Sequence, residues 1–582
     1  MTGIHRRGGL LPRLLALLAI FALVAASCGE DNDNSSPAPD AEVAEEAPAA
    51  GEADAEVAEE ASAVDEADAD EPVATDPPLA CSPDAILTWG YGDQIRDWDP
   101  HNSPAGQDQW YLMAVYDRLF HQDPDGTTTP GLAESWEYSD DGLTLTMNLR
   151  DGVLFHDGTA LDADIVVQNL ERSRGATDTE EGFSSSFSAD LSAIDSVTAV
   201  DGTTVAIATS RVDAALPAVL SDRPGMMLHP STFDGDANAS PIGTGPFALD
   251  SWTAGDGGQA DLSKFADYWD ADNIQIGGLV IKDIRDASAR FNALQSGEID
   301  GARIDPVDFD AASSDDSITV LTGDTVEVFW LLLDREITPE LGNTAVLQAM
   351  SLALDRQALV DGLAFGLGTP SLTHMPPFYY AASPNIEVTA QDLDGARALL
   401  ADEGVGDFSF PILAGSATGL GSDVTQAVAA MLGEIGITIE IEVAGADLAS
   451  RLFFDRDGGG VVGPWSGRAD PAQTIANVYG PGFVNLAKIS VPEIDQLLLD
   501  ANAALDPGVR QSILQELDEI EAVSHVSGIA LFAPKIVFAS NNNVSGLAIY
   551  VQGKHEFRNV CVAPAAGEAD AEVAEEASAV DE

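Results

Sequence analysis

Positive charge is what this chain of 582 residues has least of: 26 Lys and Arg stand against 97 Asp and Glu, a formal net charge of −71. Such a field repels phosphate, which argues against DNA, RNA or anionic lipid headgroups as partners. Histidine is sparse and scattered, eight in all. No His-x-x-x-His, His-Glu-x-x-His or Cys-x-x-Cys spacing occurs, so a zinc site has no local frame to form on. A Gly-x-Ser-x-Gly nucleophile elbow is also missing. The Gly-Thr-Gly-Pro run at 243–246 is followed by neither a helix nor a lysine, so it does not read as a phosphate cradle. These absences leave no catalytic constellation, no metal and no cofactor to expect. The chain reads as a non-enzyme.

Long apolar runs are confined to one place. Arg6, Arg7 and Arg13 precede the apolar Leu14–Ser27, too short to span a bilayer comfortably and of the form of a secretory signal. It ends at Val24-Ala25-Ala26-Ser27-Cys28, which resembles a bacterial lipobox with Ala25 where Leu is usual. Residues 1–28 are therefore expected to be a signal peptide, with Cys28 lipidated after cleavage and anchoring the protein to the cell membrane; plain secretion is the alternative. Residues 29–80 hold eighteen acids and no base, with almost no large apolar residue. They cannot offset their ordering entropy and read as a disordered, self-repelling tether. The block at 47–66 recurs unchanged at 563–582 as an acidic tail. Cysteine is rare too, three in total. With Cys28 assigned to lipid, Cys81 and Cys561 remain, just before the first strand and just after the last. An exported chain permits a bridge between them, contributing roughly 4–5 kcal/mol in a chain-entropy model. Two free thiols are the alternative.

The folded part is organised around Pro130–Arg174. Trp136 and Tyr138 alternate with polar neighbours, Asp140-Asp141-Gly142 supplies turn chemistry, and Leu143, Leu145, Met147 and Leu149 alternate again: a hairpin. A short Val153–Phe155 strand and a helix over Leu161–Leu170 follow. Further expectations are a helix at Trp110–Phe120, a hairpin over Val197–Ala208, and a buried strand at Val326–Leu333. Helices are expected at Asn343–Leu359, Gln391–Ala401, Thr425–Ile435, Asn485–Ala503 and Pro507–Val523. Ile437–Val443 reads as a strand, and Ile529–Ser540 as a final strand run.

The run LAESWEYSDDGLTLTMNLRDGVLFHDGTALDADIVV resembles the signature of the extracytoplasmic solute-binding proteins of ABC importers, in the branch that carries oligopeptides, dipeptides and nickel. YDRLFHQDPDG, PIGTGPFALDSWTAG, SGEID and ALDR are similar to further phrases of that family. The resemblance implies a two-lobed α/β fold of the periplasmic-binding-protein type, with mixed sheets and a hinge. It places lobe I at 81–325 with 527–562, and lobe II at 326–526. It implies a monomeric receptor that closes on a peptide or similar small solute and delivers it to permease subunits in the membrane. A ligand-sensing receptor feeding a signalling partner is the alternative of the same fold.

By the same resemblance, the cleft would be lined by Ser103 and Gly106 after Asp99-Pro100, by Trp330 on the crossing strand, by His374 and Tyr379, and by Trp465, Arg468 and Asp470. Peptide-binding relatives carry a Trp and then an Asp that pairs with the peptide ammonium. Here the sequence is Trp465-Ser466-Gly467-Arg468, so a guanidinium stands where that carboxylate is expected. An Arg fork suits carboxylate or phosphate. The expected solute accordingly lacks a free ammonium at this spot or presents an acid there, which admits an acidic peptide or an oligosaccharide beside ordinary peptides. The competing reading has Arg468 turned to solvent or to Asp470.

Overall fold

The computed structural model describes residues 80–564 apart from 104–105, 176–184, 234–235, 416–419, 445–447, 449, 469, 481–484 and 487–488. The signal, Cys28, the tether and the acidic tail from residue 565 onward lie outside the described residues.

Two large sheets organise the chain. The first has seven strands in the order Ile318–Gly323, Ile536–Asn541, Gly301–Ile304, Ile86–Tyr91, Gly278–Asp283, Gln259–Lys264 and Phe247–Trp252. Ile86–Tyr91 runs parallel to both of its neighbours, and the outer pairs are antiparallel. Trp89 is fully buried and stacks near Trp110, Phe538 and Phe557, so apolar residues from both ends of the chain close one core. The second sheet has six strands: Gly368–Pro370, Gly528–Pro534, Glu327–Leu333, Gly460–Ser466, Phe408–Ala414 and Ile437–Val443. Its central Glu327–Leu333 strand is a near-continuous apolar run covered on both faces, as its sequence requires. We call the two halves lobe I and lobe II.

A four-stranded antiparallel sheet extends lobe I, in the order Ala133–Tyr138, Thr144–Leu149, Thr204–Thr209, Ile194–Ala199. Leu145, Met147, Val205 and Ile207 fill its buried face. The helix Ala163–Ser173 packs on it, started by Asp162, whose carboxylate accepts the Ile165 N–H at 2.9 Å. Val153–Phe155 is not a strand but a turn closed by a Leu154–Ala160 bridge.

Three expected elements are cut differently. The helix expected at Trp110–Phe120 stops at Val115. The Asp117 carboxylate accepts from Tyr268 Oη at 2.8 Å and Trp269 Nε1 at 2.7 Å and pairs with His121, which holds the chain in an extended turn. The helix expected at Asn343–Leu359 is two, Thr344–Leu352 and Arg356–Leu363, because Asp355 caps the second through the Ala358 N–H. The Ile529–Ser540 run is also two strands. Gly528–Pro534 belongs to the second sheet and only Ile536–Asn541 to the first. By sheet membership the return to lobe I therefore begins past Pro534, not at 527. The reason is that Pro534 ends one ladder and Lys535 carries the chain across.

Two crossings thus join the lobes, residues 324–326 and Lys535. They lie side by side, with Lys535 Nζ 2.6 Å from Asp324 Oδ1. Cys81 and Cys561 are bonded, their Cα atoms 5.3 Å apart, tying the two ends of lobe I together.

Candidate functional site

The seam between the lobes is built from the ends of strands. In lobe II, Trp465 lies opposite Val328 and Ser466 opposite Glu327, at the end where both strands reach lobe I. Gly467 then turns the chain with φ +28°, lying so close to Val326 that a Cβ would stand 2.6 Å from Val326 Cγ2. That turn sets Arg468 beside Trp465: its N–H donates to Thr474 Oγ1 at 2.8 Å, and its guanidinium lies 4.9 Å over the Trp465 ring. Two residues on, Asp470 caps the helix Pro471–Tyr479 through the Ala472 N–H and is gripped by both ends of the Arg510 fork. Both its oxygens are committed to these partners, and it makes no ion pair with Arg468. Asp470 is therefore a framework residue at 2 % exposure that also forms one wall of a cavity.

Lobe I contributes the opposite face. Ser103 is buried, donates to Asp108 Oδ2 at 2.7 Å and offers its carbonyl to Arg223 Nη1 at 2.7 Å. Gly106 meets lobe II directly. The position of its absent Cβ is 3.2 Å from Ser466 Oγ, a tight approach, and 3.6 Å from Lys554 Nζ, an ordinary contact, so an alanine there would press on Ser466. Lys554 is held by neighbours rooted in the lobe I core, His555 and Phe557 against Trp89. Its ammonium donates to the Gln552 carbonyl at 3.3 Å.

The electrostatics of this seam run against those of the whole chain. Of five lysines and 21 arginines, Arg223, Arg468 and Lys554 act on one another here, with Asp222 and Asp190 as the nearby acids. Burial pulls the Lys554 ammonium down to about 8, opposed by Asp222 and Glu327 and reinforced by Arg223 and Arg468. Burial, then Arg223, also lowers Arg468. For Asp222 burial works the other way, yet Arg223 together with Arg468 and Lys554 keeps it below the usual carboxylate range. Asp222 further accepts from Gln109 Nε2 and the Arg223 N–H.

A cavity of about 500 Å³ opens between the four-stranded sheet and lobe II. Trp136, Tyr138, Tyr380 and Leu505 give it apolar walls, and Asp470 and Arg510 a polar one. Ala214, Pro217 and Ala218 of lobe I and Asp470 of lobe II line the cavity, while Asp222, Arg223 and Arg468 a few residues away belong to the cluster.

Of the eight residues expected to line a cleft, Gly106, Trp465 and Arg468 meet at the seam, with Ser103 one shell behind through Arg223. Asp470 borders the cavity. Trp330, His374 and Tyr379 are inside lobe II. Trp330 is 3 % exposed and makes a T-shaped contact with His374, ring centroids 4.6 Å apart, and Tyr379 packs in the same core. His374 Nδ1 lies 2.5 Å from Glu521 Oε1, while its buried Nε2 has no partner among the described residues. Sequence reasoning missed Asp222, Arg223 and Lys554. The scarcity of lysine was the one available signal.

Residues 127–483 match the model of the bacterial extracellular solute-binding proteins, family 5 Middle. The chain is 26 % identical over 484 residues to the glutathione-binding protein GsiB of Escherichia coli strain K12, covering 79 % of this chain and 91 % of that one. Its fold is similar to that of the periplasmic binding protein DppA of Helicobacter pylori in complex with the peptide STSA, with TM-score 0.74, 22 % identity, and coverage of 82 % and 98 %. It is also similar to the binding protein AgaA of A. tumefaciens R10 in complex with agropinic acid, with TM-score 0.71, 23 % identity, and coverage of 83 % and 100 %. Among the described residues no helix is long and apolar enough to cross a membrane. With more than half its length matched to the family model, the chain belongs to the family 5 extracellular solute-binding proteins, the receptors, not enzymes, of ABC importers.

Proposed function

We propose that this protein binds a peptide or similar small organic solute between its two lobes and delivers it unaltered to the permease of an ABC importer. The observation that carries this reading is the seam itself. Two separately cored lobes are joined by just two adjacent crossings pinned by Lys535 and Asp324, and they face each other across polar groups and a cavity of about 500 Å³. Such a geometry suits hinge closure, in which contacts made only in the closed form supply the affinity difference between states. The volume lies within the range of small-molecule sites.

The matched proteins support the solute class: one is a glutathione-binding protein, and others of this fold hold a peptide and an organic acid. In this reading residues 29–80 are a tether from a lipidated Cys28, the receptor works as a monomer, and residues 563–582 are a solvating tail. The test is native mass spectrometry of the purified full chain, followed by small-angle scattering with and without the solute released from it. The expected result is one bound organic solute, recovered chemically unchanged, and a smaller radius of gyration when it is present. Turnover of the solute, or no compaction on binding, overturns the reading.

A further inference from the structure

The seam between the lobes holds more hydrogen-bond donors than acceptors. Arg468 has five guanidinium N–H groups, and among the described residues none makes a hydrogen bond; the guanidinium lies 4.9 Å over the ring of Trp465 and within reach of the charges of Asp222 and Asp190. The Trp465 indole N–H beside it is buried and likewise without a partner among the described residues. Lys554 brings three N–H groups to one carbonyl at 3.3 Å. Arg223 spends one end of its fork on the Ser103 carbonyl. Arg223 and Lys554 are buried and Arg468 is partly exposed; unmatched donors are costly wherever water is excluded, and unmatched charges more so.

The charges point the same way. Three cations meet Asp222, Asp190 and Glu327, but Glu327 is paired with Arg303 at 3.4 Å, so with that pair set aside one positive charge stays uncompensated. Asp222 is already drawn upon by Gln109 and by Arg223. In a chain of net charge −71 this excess is not borrowed from a basic surface. One group that brings oxygen acceptors and a single negative charge satisfies both deficits. A carboxylate does so, whereas a phosphate dianion overshoots the charge.

Resting on the receptor reading above, we propose that Arg468, Lys554 and Arg223 form a carboxylate-recognition site at the lobe seam. The solute is then an organic acid or acidic peptide that presents its carboxylate, not an ammonium, to this end of the cleft. The adjoining cavity, with Trp136, Tyr138 and Leu505, takes the less polar remainder. The cavity wall at Ala218 and Asp470 stands four residues from Asp222 and two from Arg468 in the sequence.

The test uses the full chain and calorimetric titration at pH 7 with Ala-Phe, N-acetyl-Ala-Phe, Ala-Phe-amide and glutathione. In parallel, the copurifying solute is released, methyl-esterified and returned to stripped protein. Blocking the amine is expected to cost less than threefold in affinity. Removing the carboxylate, by amide or ester, is expected to cost about 10- to 100-fold, in line with losing charge-assisted bonds. Arg468→Gln is expected to lose a similar factor for the acids and nothing for the amide. Arg468→Asp is expected to reverse the order, favouring Ala-Phe-amide over N-acetyl-Ala-Phe; if that variant misfolds, Arg468→Gln and the esterification arm still decide. Undiminished rebinding of the ester, strict dependence on the free amine, or an Arg468→Gln affinity within twofold of the original overturns the assignment while leaving the receptor reading intact. A chain that carries no solute and takes none of the probes overturns the receptor reading, and this assignment with it.

Discussion

Arg510 holds Asp470 with both arms of its guanidinium, Nη1 to Oδ2 at 2.7 Å and Nη2 to Oδ1 at 2.8 Å, and both side chains are largely buried. The pair fastens the helix Pro507–Ser524 to the start of the helix Pro471–Tyr479, two residues beyond Arg468. Removing one partner of such a pair strands the other without solvent.

Arg510→Met should therefore destabilise the fold by about 3–5 kcal/mol. The double change Arg510→Met with Asp470→Asn should recover part of that loss, because Asn still caps the helix and carries no charge. Urea unfolding of the two variants and the parent measures it. A double variant no better than the single one would show that shape, not charge, sets the cost.

The bond between Cys81 and Cys561 closes a loop of 480 residues in sequence separation. Its loss enlarges the unfolded ensemble, by about 6 kcal/mol in the chain-entropy model. Reduction, or Cys81→Ser with Cys561→Ser, should lower the melting temperature by several degrees. Solute affinity should stay within about threefold, since both cysteines belong to lobe I and the crossings between lobes are untouched. Melting curves with and without reductant, read beside a titration, check both halves. An unchanged melting temperature counts against the bridge as a stabilising element.

How far the sequence carried can be seen residue by residue. Period-2 alternation marked the Ala133–Tyr138 and Thr144–Leu149 hairpin, and Ile437–Val443 is a strand over the expected residues. Local pattern failed where a distant group intervened, as when Tyr268 and Trp269 reach Asp117 and end a helix that its own residues would continue. The site divided in the same way. Arg468 stood out because a short motif gave it a reference position. Arg223 and Lys554 reach the seam from 245 residues before Arg468 and 86 residues after it, counting 468 − 223 and 554 − 468. Trp330 and His374 looked like cleft aromatics because an aromatic beside a histidine suits a core and a cleft equally. Glu521, on another helix, supplies the partner that makes His374 internal.

Asp518 and Glu521 share one buried face of the helix Pro507–Ser524. Burial first, then Glu521, pushes the Asp518 carboxyl up to about 8. The unfolded carboxyl titrates near 4, so between those values the folded state binds the extra proton. Stability then falls as pH rises through about 4 to 8 and is level above it. Asp518→Asn keeps an oxygen for the Ser383 N–H, which now donates to Asp518 Oδ2 at 2.7 Å. The variant should match the parent near pH 4 and melt about 2–4 °C higher at pH 9. Scanning calorimetry across that range checks the slope, and a variant that melts lower at pH 9 contradicts the sign.

Lys554 sets stability against binding. Burial pulls its ammonium down to about 8, with Arg223 and Arg468 acting in the same direction and Asp222 and Glu327 against it. The unfolded amine titrates near 10.4, so between about 8 and that value the unfolded chain binds more protons. The penalty of the buried charge is therefore full below pH 8 and shrinks as pH rises toward the unfolded value. Lys554→Met removes it, and the solute-free protein should gain about 1–3 kcal/mol at pH 7. The same change deletes a cation of the seam, so affinity for N-acetyl-Ala-Phe should fall about tenfold. In the parent that affinity should be steady below pH 8 and weaken above it, as the empty site must first regain its proton. Urea unfolding and calorimetric titration from pH 6 to pH 10 measure the two effects on one pair of proteins. A Met variant that is less stable and binds as before would make Lys554 a strut between the lobes, since a strut gives up stability when cut and a binding cation gives up affinity.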